Sequence, residues 1–91
     1  METNLLEDLI TLESTHSFSR AAVLRHISQS ALSRRIKSLE LWAGAELVDR
    51  SAYPTKLTPA GQMLRWKAID ALQCLQSAQT NLKQTEKHNH A

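Results

Sequence analysis

The sequence predicts a mostly α-helical fold: a winged helix-turn-helix, with a three-helix core and a short β-hairpin wing, followed by a long dimerisation helix. Two short stretches with helical periodicity meet at a tight corner at residues 26–27. Two β-prone stretches then flank a turn that contains a proline. Finally, apolar residues recur in heptads from residue 64 to residue 82. These three observations together support the prediction.

The predicted boundaries divide the chain into three parts. Residues 1–58 form the winged helix-turn-helix domain, residues 59–86 form the linker helix, and residues 87–91 form a disordered tail. The 91 residues suffice for one small domain. A chain of this size buries about 60–65% of the surface that its unfolded form exposes, so association with a partner would add to its stability.

Several classes of protein do not fit this sequence. The single cysteine, Cys74, excludes an internal disulfide and favours a reducing compartment. No apolar run approaches the ~20 residues that span a bilayer, and the acidic N-terminus does not resemble a signal peptide. We therefore expect a cytoplasmic protein that does not contact the membrane.

Residues 4–13 are predicted to form the first helix. Asn4 is the expected N-cap, and Glu7 follows three positions later, as in a capping box. The apolar stripe of this helix consists of Leu5, Leu9 and Leu12. Because no other chemistry is evident, we expect this helix to serve in packing.

A second helix is predicted from Phe18 to about Arg25, with Ser17 as its N-cap. Phe18 and Val23 are expected to face the core. The turn of a helix-turn-helix has 3–4 residues and often contains glycine. Here His26 occupies that position.

The third helix is expected to run from Gln29 to about Trp42, with Ser28 as its N-cap and Gly44 as a left-handed C-cap. Its apolar face consists of Leu32, Ile36 and Leu39. Its opposite face consists of Gln29, Ser30, Ser33, Arg34 and Lys37. Amide, hydroxyl and cationic groups of this kind bind base edges and phosphates. Trp42 lies beyond the polar face and is expected in the core or an interface.

Charge is segregated along the sequence. No acidic residue stands between Glu13 and Glu40. The cations within that stretch are Arg20, Arg25, Arg34, Arg35 and Lys37. This segregation predicts one positive face, as expected of a phosphate-binding surface. An ordinary set of solvated charges is the alternative.

A strand at residues 47–50, a turn and a return strand at residues 55–57 are predicted next. Pro54 cannot donate to a strand ladder, which suits a turn. A hairpin in this position is a wing. The wing side chains available to contact a nucleic-acid backbone or minor groove are Arg50, Tyr53 and Lys56. Solvated loop side chains are the alternative for each.

Thr58 and Pro59 predict the start of the longest helix, because a hydroxyl cap precedes a proline at the first helical position. A helix reaching about Thr85 would be ~40 Å long. Its heptad seam consists of Leu64, Ala68, Ala71, Leu75, Ala78 and Leu82. Since the small core is too short to cover this seam, a second copy of the chain is expected to do so, which predicts a homodimer.

These residues resemble the N-terminal domain of LysR-type transcriptional regulators over about residues 4–85. The specific motifs are Ser28-Gln29-Ser30-Ala31-Leu32-Ser33-Arg34 and, downstream, Leu57-Thr58-Pro59-Ala60-Gly61. The resemblance implies binding to double-stranded promoter DNA, antiparallel pairing of the linker helices in a dimer, and tetramers of the full-length protein. It also implies a C-terminal effector-binding domain for a small-molecule inducer. That domain is absent here, so we expect a fragment that ends where the linker helix would lead into it.

By position, the residues that match the groove-facing residues of this family are Gln29, Ser30, Ser33 and Arg34. We expect Arg35 and Lys37 to position the protein on the DNA backbone, together with the N-terminus of the second helix. Three positions depart from the family pattern. Arg25 stands where leucine is common, Val48 where phenylalanine is common, and Tyr53 where many members carry a wing arginine.

Two other functions compete with DNA binding. A winged-helix module that binds only proteins would show little dependence on salt, whereas DNA binding weakens steeply as salt rises. An enzyme is not expected, because no spacing sets a nucleophile beside an oriented base. We expect no cofactor and no metal, since His88 and His90 have no accompanying cysteine or acid cluster.

Overall fold

The computed structural model describes residues 2–89, with the side chains of residues 2–85. Within that range the chain forms helices and one two-stranded antiparallel hairpin. The elements in order are α1 (Thr3–Thr15), α2 (Phe18–Arg25), α3 (Gln29–Ala43), β1 (Val48–Asp49), β2 (Lys56–Leu57) and α4 (Pro59–Asn89). The predicted order of helices and strands is confirmed.

Within residues 2–89, hydroxyl side chains cap the N-termini of three of the four helices. The Ser17 Oγ accepts from the Arg20 amide at 3.2 Å, and the Ser28 Oγ accepts from the Ala31 amide at 3.1 Å. Before α4, the Thr58 hydroxyl accepts from the Gly61 amide at 3.0 Å. These bonds satisfy amides that have no partner within the helix, which is why the starts were predictable.

The predicted N-cap of α1 is wrong. Asn4 lies inside the helix, which begins at Thr3 after Glu2, and the Glu2 side chain makes no capping hydrogen bond. The helix also continues to Thr15, beyond the expected end. Its burial on a leucine stripe, rather than a cap, therefore stabilises α1.

Left-handed residues end the first three helices and allow sharp reversals. Gly44 after α3 has φ 71°, as predicted, whereas His16 after α1 has φ 53° and His26 after α2 has φ 61°. A side chain at such a position costs roughly 1–2 kcal/mol. The corner between α2 and α3 thus keeps its turn geometry without a glycine.

The core lies between α1, α2, α3, the hairpin and the first part of α4. Its fully buried large apolar side chains are Leu9, Leu12, Leu32, Ile36, Leu39, Leu47 and Val48. Phe18 is half-buried against this core, but Val23 is 72% exposed and its predicted core position is wrong. Trp42 is 59% exposed within this single chain, so it is outside the core.

Contacts on both sides fix the hairpin. Val48 pairs with Leu57, and the Glu40 carboxylate of α3 accepts from the Leu47 amide at 2.8 Å. Gly61 in the first turn of α4 lies against the Leu47 carbonyl, which a Cβ at that position would overlap. The hairpin and the start of α4 therefore pack as one unit with the helices.

The first part of the heptad seam on α4 does not face outward. Ala68 is 2% exposed and Leu64 packs against the same core, next to α1. Their expected place in a dimer interface is corrected, since the chain's own core already covers them. The remaining exposed seam positions are Ala71, Leu75, Ala78 and Leu82. 

The last turn of α4 also differs from the expectation. The helix runs through Asn89, so the predicted disordered tail is helical at residues 87–89. Residues 90–91 lie outside the described part of the chain, as do the side chains of His88 and His90. None of the helices within residues 2–89 is both long enough and apolar enough to cross a bilayer.

Candidate nucleic-acid interface

The outer face of α3 is polar and open to solvent. Its exposed side chains are Gln29, Ser30, Arg34 and Lys37, with Ser33 half-buried at the edge. The opposite face consists of Leu32, Ile36 and Leu39, each 0% exposed. The 3.6-residue period thus separates donors from the core as the sequence predicted.

The wing and the start of α2 lie beside this face. Gln29, Ser33 and Arg50 line one cleft together with Phe18 and Thr55. Gln29 also lines a neighbouring cleft of about 530 Å³ between α2 and the wing. The other polar residues of that second cleft include Ser17, Ser19, Arg20 and Tyr53. Residues far apart in sequence are therefore brought to one side of the molecule.

Two of the predicted interface cations are paired inside the protein. Asp8 of α1 is 0% exposed, and its Oδ2 accepts from the Arg35 Nε at 2.6 Å. Its Oδ1 accepts from the Arg25 Nε at 2.8 Å and from the Arg35 Nη2 at 3.0 Å. Asp8 thereby joins α1 to α2 and α3, because each arginine comes from a different helix. The Arg35 side chain is 30% exposed and is engaged by Asp8, which favours a structural role over the predicted phosphate contact.

Glu7 adds a second acid to the arginine of α2. Its Oε2 lies 3.0 Å from the Arg25 Nη2. Burial alone would lower the pKa of Arg25, but hydrogen bonds and charge from Asp8, and then from Glu7, outweigh it and raise the pKa above its ordinary value. Arg25, which departs from the family pattern, is thus a structural cation.

The wing arginine is also partly neutralised. The Arg50 Nη1 lies 3.1 Å from the Glu40 Oε1, and the Arg50 side chain is 38% exposed. Within residues 2–85, the exposed cations near α3 and the wing that form no ion pair are Arg20, Arg34, Lys37 and Lys56. The positive face is consequently narrower than the sequence suggested.

Two functional contacts were missed by reasoning from the sequence. Asp8 falls on the leucine stripe of α1, three positions after Leu5 and four before Leu12, and a carboxylate there signals a buried ion pair. His16, between the predicted first and second helices, makes the other contact. Its Nδ1 donates to the Thr55 carbonyl at 3.1 Å, across 39 positions of sequence. Nothing local in the sequence indicates that second contact.

Comparison with known proteins identifies the family of this chain. Residues 3–62 match the family described as bacterial regulatory helix-turn-helix protein, lysR family. The chain belongs to the LysR family. The Escherichia coli K12 transcriptional regulator YjiE is 41% identical over 83 residues, which cover 91% of this chain and 27% of YjiE. This LysR-family chain therefore spans only about a quarter of the length of that relative.

Two solved LysR-family structures share the fold. Vibrio fischeri DarR, in complex with DNA, superposes with a TM-score of 0.89 at 38% identity, over 96% of this chain and 30% of DarR. BenM_DBD, in complex with catB site 1 DNA, gives a TM-score of 0.91 at 31% identity, over 100% of this chain and 98% of that chain. The predicted winged helix-turn-helix with a long C-terminal helix is confirmed.

Proposed function

We propose that this LysR-family chain binds double-stranded promoter DNA with sequence preference, as a dimer, and places α3 in the major groove. The observation that carries the proposal is the open polar face of α3, opposite three fully buried apolar residues. A helix of this kind fits the width of the major groove. The DNA complexes of two similar proteins, DarR and BenM_DBD, support the same assignment.

The side chains divide by the part of DNA that each can reach. Gln29 can bond both edge atoms of adenine, and Arg34 can bond guanine or a phosphate. Ser30 and Ser33 supply hydroxyls to base edges or phosphates. Lys37 is a phosphate contact, which fixes register without reading sequence. 

The wing and the start of α2 complete the proposed surface. Arg50 and Tyr53 face the backbone or minor groove from the hairpin, and Tyr53 is fully exposed. The free amides at the N-terminus of α2, beside Arg20, suit a phosphate. Arg35 acts indirectly in this proposal, because its pair with Asp8 holds α3 in place.

The exposed half of the α4 seam supports the dimer. Leu75 is 59% exposed and Leu82 is 69% exposed, on a helix that continues well past the core. When α4 of a second copy covers these leucines, apolar surface of both copies is removed from water, which drives association. The proposed dimer face consists of Ala71, Leu75, Ala78 and Leu82.

The remaining expectations concern a longer protein. Because relatives extend far beyond the aligned region, we infer that tetramers and a small-molecule inducer belong to a full-length regulator with a C-terminal effector domain. Such a regulator would act on the chromosome in the bacterial cytoplasm. The proposal assigns this chain no catalytic step and no cofactor.

Selection from a random duplex pool tests the proposal directly. Enriched sequences with two half-sites about 10 base pairs apart, or a multiple of that, are expected from a dimer. Titration of the selected duplex should give log K falling with log salt by about 0.9 per neutralised phosphate. No enrichment, together with salt-independent binding to a protein, would instead support the protein-binding module.

A further inference from the structure

We propose that His16 is a positioning residue that fastens the wing to the helix-turn-helix and so holds Tyr53 in place for DNA; this inference rests on the proposed function. Two reciprocal hydrogen bonds carry it. The His16 Nδ1 donates to the Thr55 carbonyl at 3.1 Å. In return, the Thr55 amide donates to the His16 carbonyl at 3.2 Å. The α1–α2 turn is thereby joined to the residue before β2.

The turn of the wing needs such a fastening because the ladder beneath it is very short. The core and α4 hold the two strands, but their pairing consists of Val48–Leu57 and Asp49–Lys56, so residues 50–55 lie beyond the ladder. Hydrogen bonds from Ser51 and Ala52 to Asp49 order the start of the turn. The described contacts that order its far end are those of Thr55 with His16.

Tyr53 depends on that far end. It is 100% exposed, so packing against the core does not hold it. It nevertheless lines one cleft with His16, Thr55, Arg20 and Gln29. Where Thr55 is held therefore limits where the backbone of Tyr53, two residues earlier, can lie relative to Gln29.

The backbone conformation of His16 also supports a positioning role. Its φ of 53° lies in the region that favours glycine, and a side chain there is unfavourable. Retained strain of this kind is a sign of function when the side chain makes a specific contact. His26 provides the comparison: its φ is 61°, and within residues 2–85 its side chain forms no hydrogen bond.

The test compares His16→Gly with the matched control His26→Gly. Both substitutions relieve a positive φ, but only the first removes a bond to the wing. Affinity for the selected duplex, followed by fluorescence anisotropy, should fall about 2–10-fold in His16→Gly, because DNA must then order a looser wing. His26→Gly should bind like the unsubstituted chain. Equal affinity of all three proteins would overturn the inference.

A rescue and a double substitution separate positioning from general stability. His16→Asn keeps a donor near the Nδ1 position and tolerates a positive φ, so it should restore most of the affinity. Tyr53→Ala should weaken binding in the unsubstituted chain and have little further effect in His16→Gly. Independent, additive losses, or no rescue by asparagine, would contradict the proposed role.

Hydrogen exchange tests the fastening without DNA. In the free protein, the Thr55 amide should exchange about 2–10-fold faster in His16→Gly than in His26→Gly, since local opening becomes easier. Unchanged exchange would refute the fastening even if the chain binds DNA. Faster exchange in a chain that selects no duplex would support the fastening and contradict the proposed function, so the two failures are distinguishable.

Discussion

Arg34 and Arg35 are neighbours in sequence but belong to different parts of the molecule. Arg34 is exposed on the outer face of α3, whereas Arg35 reaches the buried carboxylate of Asp8. One step along a helix turns a side chain by about 100°, which is enough to move it from solvent to a contact with a buried residue. Cationic residues in a sequence are therefore not all available to a ligand. Substitutions at these arginines and at the residues around them test that difference.

Removal of the buried acid should give the largest effect. Asp8→Ala leaves Arg35 without a carboxylate and Arg25 with Glu7 alone, and breaking a buried ion pair from one side costs about 3–5 kcal/mol. Chemical denaturation followed by circular dichroism measures the loss in the free energy of unfolding. Glu7→Ala is the control, because Glu7 is 41% exposed and pairs only with Arg25. A similar, small loss in both variants would contradict a structural role for Asp8.

The neighbouring arginines should respond in opposite ways. Arg35→Ala should lower the free energy of unfolding by about 2 kcal/mol, because Asp8 keeps only Arg25. Arg34→Ala should leave stability unchanged and weaken binding to the selected duplex by about 1–3 kcal/mol, with relaxed preference at one base position. Denaturation and anisotropy on the same two variants measure both effects. If the two variants behave alike in both measurements, the division between them is wrong.

Lys37→Ala sharpens the comparison within the outer face of α3. A phosphate contact adds affinity for every sequence, so all duplexes should bind more weakly by a similar factor. The slope of log K against log salt should fall by about one unit. Parallel salt titrations on the selected duplex and on a scrambled one measure this. A loss confined to one sequence would reassign Lys37 to base recognition.

The smallest effect concerns an acid at the surface. The Ser51 hydroxyl, and then the Ser51 amide, donate to the Asp49 carboxylate and hold its pKa below the ordinary 3.8. The resulting stabilisation is present above that ordinary value and is lost as pH falls through the lowered one. Ser51→Ala should move the pKa of Asp49 towards its ordinary value in an NMR titration. An unchanged titration would show that the hydroxyl contributes nothing and that the other groups, the Ser51 amide first, lower the pKa.

Local signals explain what the sequence predicted well. Ser17, Ser28 and Thr58 each cap a helix within three residues, so their bonds could be inferred without knowledge of the fold. The polar and apolar faces of α3 follow from helical periodicity alone. The predicted side-chain roles on DNA remain predictions, because they depend on a partner molecule.

Contacts between distant residues explain what was not predicted. Asp8 meets its arginines across 17 and 27 positions, and local periodicity does not reveal such pairs. Likewise, the heptad seam shows that Ala68 is on an apolar stripe but not that the chain's own core covers it. Only the path of the chain in space decides whether an apolar stripe faces its own core or a second copy.

Direct contacts hold the junction between the wing and α4 in place. Thr58 donates to the Glu46 carbonyl at 2.6 Å while it caps the helix, and Gly61 is pressed against the Leu47 carbonyl. Because these contacts hold its first turn, the long helix α4 extends from the domain in a fixed direction. One residue inserted beyond residue 70 would rotate the leucines that follow it by about 100° around the helix axis and leave the contacts of the first turn unchanged. The number of residues in α4 therefore sets the orientation of whatever is joined to its C-terminal end.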